Sequence, residues 1–468
     1  MITTKQMIMN AIKAPLMALL VGVSLLPIAC NDRLEVEPDN FIDADQAVAT
    51  SSDVEALLVG AYDLLSDDDL YGGILLRDGE LLGGDDEIFW DGTFVDPEEI
   101  FTKRILVNNA QVEQTWLEAY EAINIANNVL ANLEVVGEDL EADEAAALKA
   151  QVEGEARFIR GAMYFELVRF YSRAWNDGDP SANLGVPIIL DPTATIDEAS
   201  FVSRATVAEV YDQVLADLQT AADLLPPSNG FFATQYTAQA VLSRVYLMQG
   251  QYAEAAAAAD AVISSGEYQL TESYADAFAN ESANTTEDIF AIQVTSQDGT
   301  NEMNSFFAPP SNQGRGDIYV QESHLALYEE GDERLAFFYF DDDLAQTYTG
   351  KWTNQFGNVN VIRLAEMYLT RAEANFRAST AVGATPLEDV NTIRERAGLD
   401  PLTELTLDTI LEERHLELAL EGHRIHDLKR TGRSVGDLPF DDPRLVYPIP
   451  QRELDANPEL QGQQNTGY

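Results

Sequence analysis

TAQAVLSRVYLMQGQYAEAAAAADAVI, residues 237–263, holds two helical repeats joined by a glycine. Leu242, Tyr246, Gly250, Tyr252 and Ala255 fall at the spacing of a tetratricopeptide helix pair. The alanines let two helices approach closely, and Gly250 permits the turn between them. Working outward, the same periodicity returns. Trp116, Tyr120, Ile123, Asn127 and Leu130 recur three or four residues apart within 112–136, which places them on one helix face. Ala156, Ile159, Met163 and Val168 repeat the pattern in 146–174. A further helix runs from an N-cap at Thr206 to Leu225, where Pro226 and Pro227 stop it. A second pair is expected at 361–378 and 386–397, and one long helix at 407–430, ended by Gly432. The segments 66–111, 174–205, 268–360 and 433–468 are less regular, with a short strand expected at IFAIQV, 289–294. Loops carried on a rigid scaffold are where binding residues usually sit. The fold class is therefore mostly α: a helix-pair scaffold with an irregular, loop-rich face and a few short strands.

The chain of 468 residues exceeds a single ordinary core, which implies either several domains or a repeat scaffold. Its 28 Lys and Arg against 80 Asp and Glu give a net charge of −52, and only six of the basic residues are lysine. Such a surface repels nucleic acid and anionic lipid headgroups, so neither is expected as an electrostatic partner. The acids are spread over the whole chain, which favours adaptation to high salt over a dedicated cation store.

Cys30 is the only cysteine, which excludes an intrachain disulfide. It closes an apolar run, residues 14–29, that follows Lys5 and Lys13. The run has the length of a signal-peptide core and is short for a membrane span of ~20 residues. Ala29 followed by Cys30 resembles a bacterial lipobox, although Pro27 stands where an aliphatic residue is usual and Leu26 lies one place further out. Residues 1–29 are read as a lipoprotein signal peptide and Cys30 as the lipidation site. Stable anchoring would need more than one acyl chain there.

Several segments together resemble the SusD/RagB family of outer-membrane nutrient-binding lipoproteins. The likeness begins at CNDRLEVEP and continues through WLEAYEAINIANNVL and EARFIRGAMYFELVRFY. It resumes in VYDQVLADLQTAADLLP, RLAEMYLTRAEANFR and VNTIRERAGL. It closes with EERHLELALEGHRIHDLKRTGR and YPIPQRELDANPELQGQQNTGY. The resemblance implies a SusD-like domain over 30–468, its N-terminal part (about 30–265) and C-terminal part (about 266–468) forming one continuous unit. It also implies a non-enzymatic lipoprotein on the extracellular side of the cell outer membrane. Its partners would be a SusC-like TonB-dependent transporter and an oligosaccharide or, in some members, a peptide.

The residues carry little chemistry of their own. No G-x-S-x-G elbow, Walker loop, H-E-x-x-H or dinucleotide fingerprint occurs. With so many acids, a glycosidase pair could be drawn anywhere, so that pattern selects nothing. His423 and His426 could chelate a metal at i, i+3 on the last helix, but Glu417, Glu421, Arg424 and Asp427 suit an ion-pair network there. No metal site and no cofactor are expected. Asn176, Asp177 and Asp179, like Asp341, Asp342 and Asp343, could contribute to a calcium loop but are read as solvated turns, and RGD at 315–317 is read as loop.

Sugar recognition needs an apolar face with polar groups at its edge. Trp116, Tyr120 and Trp352 are read as structural. Phe89 and Trp90, in GGDDEIFWDGTF at 83–94, are read as a ligand surface with Asp86 and Asp91 at its edge. Phe306, Phe307 and Tyr319 are the aromatic candidates of a second region. Two consecutive residues of an extended segment point to opposite sides. Trp90 is expected to be the exposed one, so that Trp90→Ala would weaken glycan binding and leave folding intact.

Overall fold

The helices begin where the sequence supplies caps. Thr50, Thr206, Thr234, Thr385 and Thr406 each accept a hydrogen bond from the N–H three residues on, and each is answered by a side chain at that position. In a computed structural model, which describes residues 48–195, 198–278, 283–297 and 299–468, these caps open long helices. Residues 1–47, with the signal segment and Cys30, lie outside the described residues.

Helices α1 (Ser51–Leu65), α2 (Ile74–Gly83) and α3 (Val95–Phe101) precede α4 (Ala110–Ala131) and α5 (Ala142–Tyr171). Then come α6 (Val207–Leu224), α7 (Gln235–Gln249) and α8 (Tyr252–Ser265). Gly250 caps α7 in the left-handed region at φ 71° and turns the chain into α8 as expected. After the short α9 (Glu302–Phe307) and α10 (Glu322–Leu325), α11 (Leu364–Ala378), α12 (Pro386–Arg396) and α13 (Leu407–Glu417) complete the array. In space α1 packs on α4, α4 on α5, α5 on α6, α6 on α7, α7 on α8 and α8 on α11, which also carries α12 and α13. Ala156, Ile159, Met163 and Val168 of α5 are all buried. The described chain from Val48 to Tyr468 is one compact unit of mostly α structure.

Six short strands complete it among the described residues. β2 (Asp288–Ile292) pairs antiparallel with β6 (Val359–Arg363), which runs straight into α11. The expected helix at 361–378 therefore starts three residues later. The second sheet has the order β1-β3-β5-β4, from β1 (Ile88–Trp90), β3 (Ile318–Val320), β4 (Phe338–Asp341) and β5 (Gln346–Thr349).

One expectation fails. Residues 407–430 are not one helix: α13 stops at Glu417 and α14 (Arg424–Thr431) starts anew. Between them Leu420 and Gly422 take positive φ, 63° and 86°. A Cβ on Gly422 would stand 2.7 Å from Leu76 Cα, so this turn lies directly on α2. Buried Glu80 of α2 accepts hydrogen bonds from the N–H groups of Gly422 and His423 at 2.8 and 3.0 Å. These groups would otherwise be unsatisfied where the helix restarts. The break is thus a docking element, which helical periodicity cannot reveal. A short helix α15 (Gln451–Ala456) lies near the C-terminus.

Candidate functional site

Strand β1 pairs with β3 in the register Ile88↔Val320, Phe89↔Tyr319, Trp90↔Ile318. The pleat therefore sends Phe89 and Tyr319 to one face and Ile88, Trp90, Ile318 and Val320 to the other. Phe89 is 41% exposed, whereas Trp90 is 5% exposed. The rings of Phe89 and Tyr319 lie 5.4 Å apart, and Phe101 meets Phe89 edge-on at 5.7 Å. Lys103 sits over Phe101 at 5.1 Å. Asp86 and Asp91, both exposed, flank the strand. Phe94, 48% exposed, lies under the Arg315 guanidinium at 4.3 Å, and Arg315 Nε is held by Asp317 Oδ2 at 2.6 Å. The result is an aromatic platform of Phe89, Tyr319 and Phe101 with exposed acids at the ends of its strand, while Phe94 and Arg315 pack toward Phe306 on the side of Trp90.

Three of the sequence candidates are core residues instead. Trp90 packs on Phe306 with centroids 5.9 Å apart, and a Cβ on Gly92 would stand only 2.4 Å from its ring. Phe306 is 5% exposed and Phe307 1%. The physical reason is the strand pairing: the register, set by a partner 230 residues away, decides which neighbour faces the solvent, and it selects Phe89 over Trp90. The stretches around Phe89 and Tyr319 lie side by side, because β1 and β3 pair. Phe94, Phe101 and Arg315 were missed. Arg315 belongs to the tripeptide read as loop, and nothing local in the sequence indicates its stacking.

The four-stranded sheet continues the aromatic line. Val320 stands opposite Thr347, so the face of Tyr319 carries Tyr348 and, across β4–β5, Tyr339. Tyr348 is buried and its hydroxyl donates to the Gly316 carbonyl at 3.2 Å. Asp341 Oδ1 accepts from the N–H groups of Asp343 and Leu344, which makes 341–344 an ordinary turn.

A second concave feature lies elsewhere. A hollow of about 430 Å³ is walled by Trp116 and Tyr120 of α4, Pro187, Ile189, Phe201 and the α15 region. Trp116 is buried and Tyr120 half-buried, its hydroxyl donating to the Pro187 carbonyl at 2.7 Å.

The histidines are structural. His423 and His426 do not converge: His426 meets Phe170 edge-on at 4.9 Å, whereas His423 faces Glu366. Burial holds both below the usual imidazole range, His423 down to about 3. His324 and His415 do meet, on one oxygen of Glu87, at 2.8 and 2.5 Å. Arg424 takes the other oxygen. Burial raises the Glu87 pKa, but these donors and charges outweigh it and hold the carboxyl well below its usual range. Both of its oxygens are thus occupied by protein donors.

The ion-pair network is real, with other partners than helical spacing suggests. Glu417 and Glu421 close on Arg363, at 2.6 and 2.7 Å, and Glu421 also on Lys351 at 2.5 Å. Asp427 instead joins Arg414 and Arg430, at 2.9 and 2.7 Å. Trp352, buried as expected, donates from Nε1 to the Leu420 carbonyl and ties β5's exit to the helix break.

A helical-repeat scaffold presenting loops and short strands is an architecture on which functional residues commonly sit. A family model described as starch-binding and associating with the outer membrane matches residues 32–247, and the SusD family model matches 337–437. The chain belongs to the SusD/RagB family. It is 27% identical to a SusD-like protein of Formosa agariphila, over 92% of each chain. A SusD superfamily structure from Bacteroides thetaiotaomicron aligns with a TM-score of 0.79 at 27% identity, over 89% of this chain and all of that one. One from Bacteroides vulgatus aligns equally well at 25% identity, over 90% and 99%.

Proposed function

We propose that the protein is a cell-surface lipoprotein that binds an oligosaccharide on the Phe89–Tyr319 platform and passes it to a SusC-like TonB-dependent outer-membrane transporter. The observation that carries the binding site is the exposed, paired aromatic face of Phe89 and Tyr319 with Asp86 and Asp91 at the ends of its strand. Sugar hydroxyls exchange water for protein hydrogen bonds at ~1 kcal/mol net each, so the apolar face contributes disproportionately. The starch-binding description of the matching family model supports the ligand class. Acylation of Cys30, the extracellular position and the transporter partner rest on the lipobox-like stretch and the family. Binding, not turnover, is the role.

Isothermal titration with soluble oligosaccharides, malto-oligosaccharides included, tests this reading. Phe89→Ala is expected to weaken binding by roughly 1–3 kcal/mol with the melting curve little changed. Trp90→Ala, by contrast, opens the core and should cost about 3–5 kcal/mol of stability. Unchanged affinity in a Phe89→Ala, Tyr319→Ala double variant would overturn the site. Loss of binding in Phe201→Ala alone would move it to the hollow beside α4.

A further inference from the structure

Where α1 ends, the chain runs Ser66–Asp67–Asp68–Asp69 and folds back against α4. One carboxylate oxygen each from Asp67, Asp69 and Glu118 of α4 lies within 4.8 Å of the other two. Glu118 is buried, at 8% exposure. Its Oε1 accepts from Gln114 Nε2 at 2.8 Å, but its Oε2 is buried without a hydrogen-bond donor. Asp67 Oδ1 accepts from the Asp69 N–H at 3.2 Å, and Gln111 takes Asp69 Oδ1. Glu118 Oε2 thus has no donor of its own, while one oxygen each of Asp67 and Asp69 lies within 4.8 Å of a Glu118 oxygen. One turn before Glu118 on the same helix face, the buried Thr115 hydroxyl also lacks a partner.

The nearby charges do not neutralise this cluster. Arg77, the neighbouring cation, is engaged by Asp78 at 2.6 Å. Glu118 and Asp67 meet carboxyl to carboxyl beside the Asp69 charge, and Asp68 and Glu302 add further acids next to them. A single shared proton relieves one pair of these acids and leaves the third.

We propose that Asp67, Asp69 and Glu118 form a divalent cation site, selective for calcium, that staples the end of α1 to α4. Calcium binds oxygens at 2.3–2.6 Å, so its coordination sphere is about 4.6–5.2 Å across, and oxygens that all lie within 4.8 Å of one another fit inside it. Magnesium keeps most of its water and demands a near-ideal octahedron, so a cluster that offers several carboxylates at once favours calcium. The site departs from the absence of metal expected from the sequence, since Glu118 lies 49 residues from Asp69 and its spacing forms no motif.

The test is a CaCl2 titration of the chelator-treated full chain, followed by calorimetry and melting, in 1 M NaCl to suppress binding to surface acids. One calcium per chain is expected, with a Kd on the order of 10⁻⁴ M, a melting temperature raised by several degrees, and a weaker response to MgCl2. Glu118→Gln should weaken calcium binding by about tenfold or more. Asp343→Asn, an acid of the exposed β4–β5 turn, should leave it unchanged. Asp67→Asn, on the surface-facing turn, provides the same readout where Glu118→Gln fails to fold. Absence of saturable binding in the wild type, or wild-type binding by both Glu118→Gln and Asp67→Asn, overturns the proposal. So does a Glu118→Gln variant that melts higher in chelator while the wild type ignores calcium, since the cluster is then held by a proton.

Discussion

Which side of the backbone a side chain occupies decides its role here. Phe89 and Trp90 are chemically interchangeable in the sequence, and only pairing with β3 separates platform from core. Asp288, at the start of β2, illustrates the cost of burial. Its Oδ1 is buried without a partner, its Oδ2 accepts from the Thr285 N–H at 2.6 Å, and burial pushes its pKa up to about 7. The folded-state value lies above the unfolded ~3.9, so its stabilising contribution is complete below about pH 4 and is lost as pH rises through 7. Asp288→Asn removes this loss. The stability of the variant relative to wild type should rise between pH 5 and 8 by on the order of 2 kcal/mol, measured by chemical denaturation. Comparing the two proteins isolates this group from buried His415, His423 and His426, whose charging acts in the opposite direction below pH 6.5. A pH-independent difference would mean that Asp288 stays ionised.

At the scale of elements, caps and breaks do the ordering. The threonine caps and Gly250 are visible as local signals, and helices starting at Thr206 or turning at Gly250 follow from them. The break at 418–423 has no such signal. Its glycine looks like any helix residue of EGHRIHDL until α2 is placed beneath it. Gly422→Ala combines a left-handed φ of 86° with a contact at 2.7 Å to backbone, and is expected to destabilise by about 3 kcal/mol or more. Gly250→Ala shares the left-handed conformation, but its added Cβ meets only the Tyr252 side chain at 3.6 Å. It should cost about 1 kcal/mol. Equal losses in the two variants, read from urea midpoints, would remove the docking role assigned to the break.

For the whole molecule, the distribution of charge matters more than its sum. Thirteen basic side chains are buried among the described residues, in a chain that has 28 in all. Arg363, Arg334, Arg244 and Arg414 close on Glu417, Glu421, Glu413 and Glu366 inside the scaffold. Breaking such a pair strands a buried charge, so these pairs specify the packing of α11, α13 and α14 more than they add net stability. The consequence is a surface poor in cations relative to its carboxylates. Self-repulsion among its carboxylates should weaken the fold in dilute buffer and ease as the Debye length falls from ~10 Å at 0.1 M to ~3 Å at 1 M. Differential scanning calorimetry in chelator should show a melting temperature that climbs between 0.05 and 1 M NaCl. A flat or falling curve would sink that account.

Periodicity, caps and composition by themselves determined the helical scaffold, the helix pair at 237–263 and the acidic character. These are local or summed properties, readable without knowing what lies across the core. Tertiary structure alone decided that Phe89 faces outward, that Tyr319 completes its surface and that Arg315 stacks on Phe94. It alone placed Glu118 beside Asp67 and split the last helix over α2. Each of these depends on a contact between residues distant in the chain, where the register of a strand or the seat of a helix overrides any local preference.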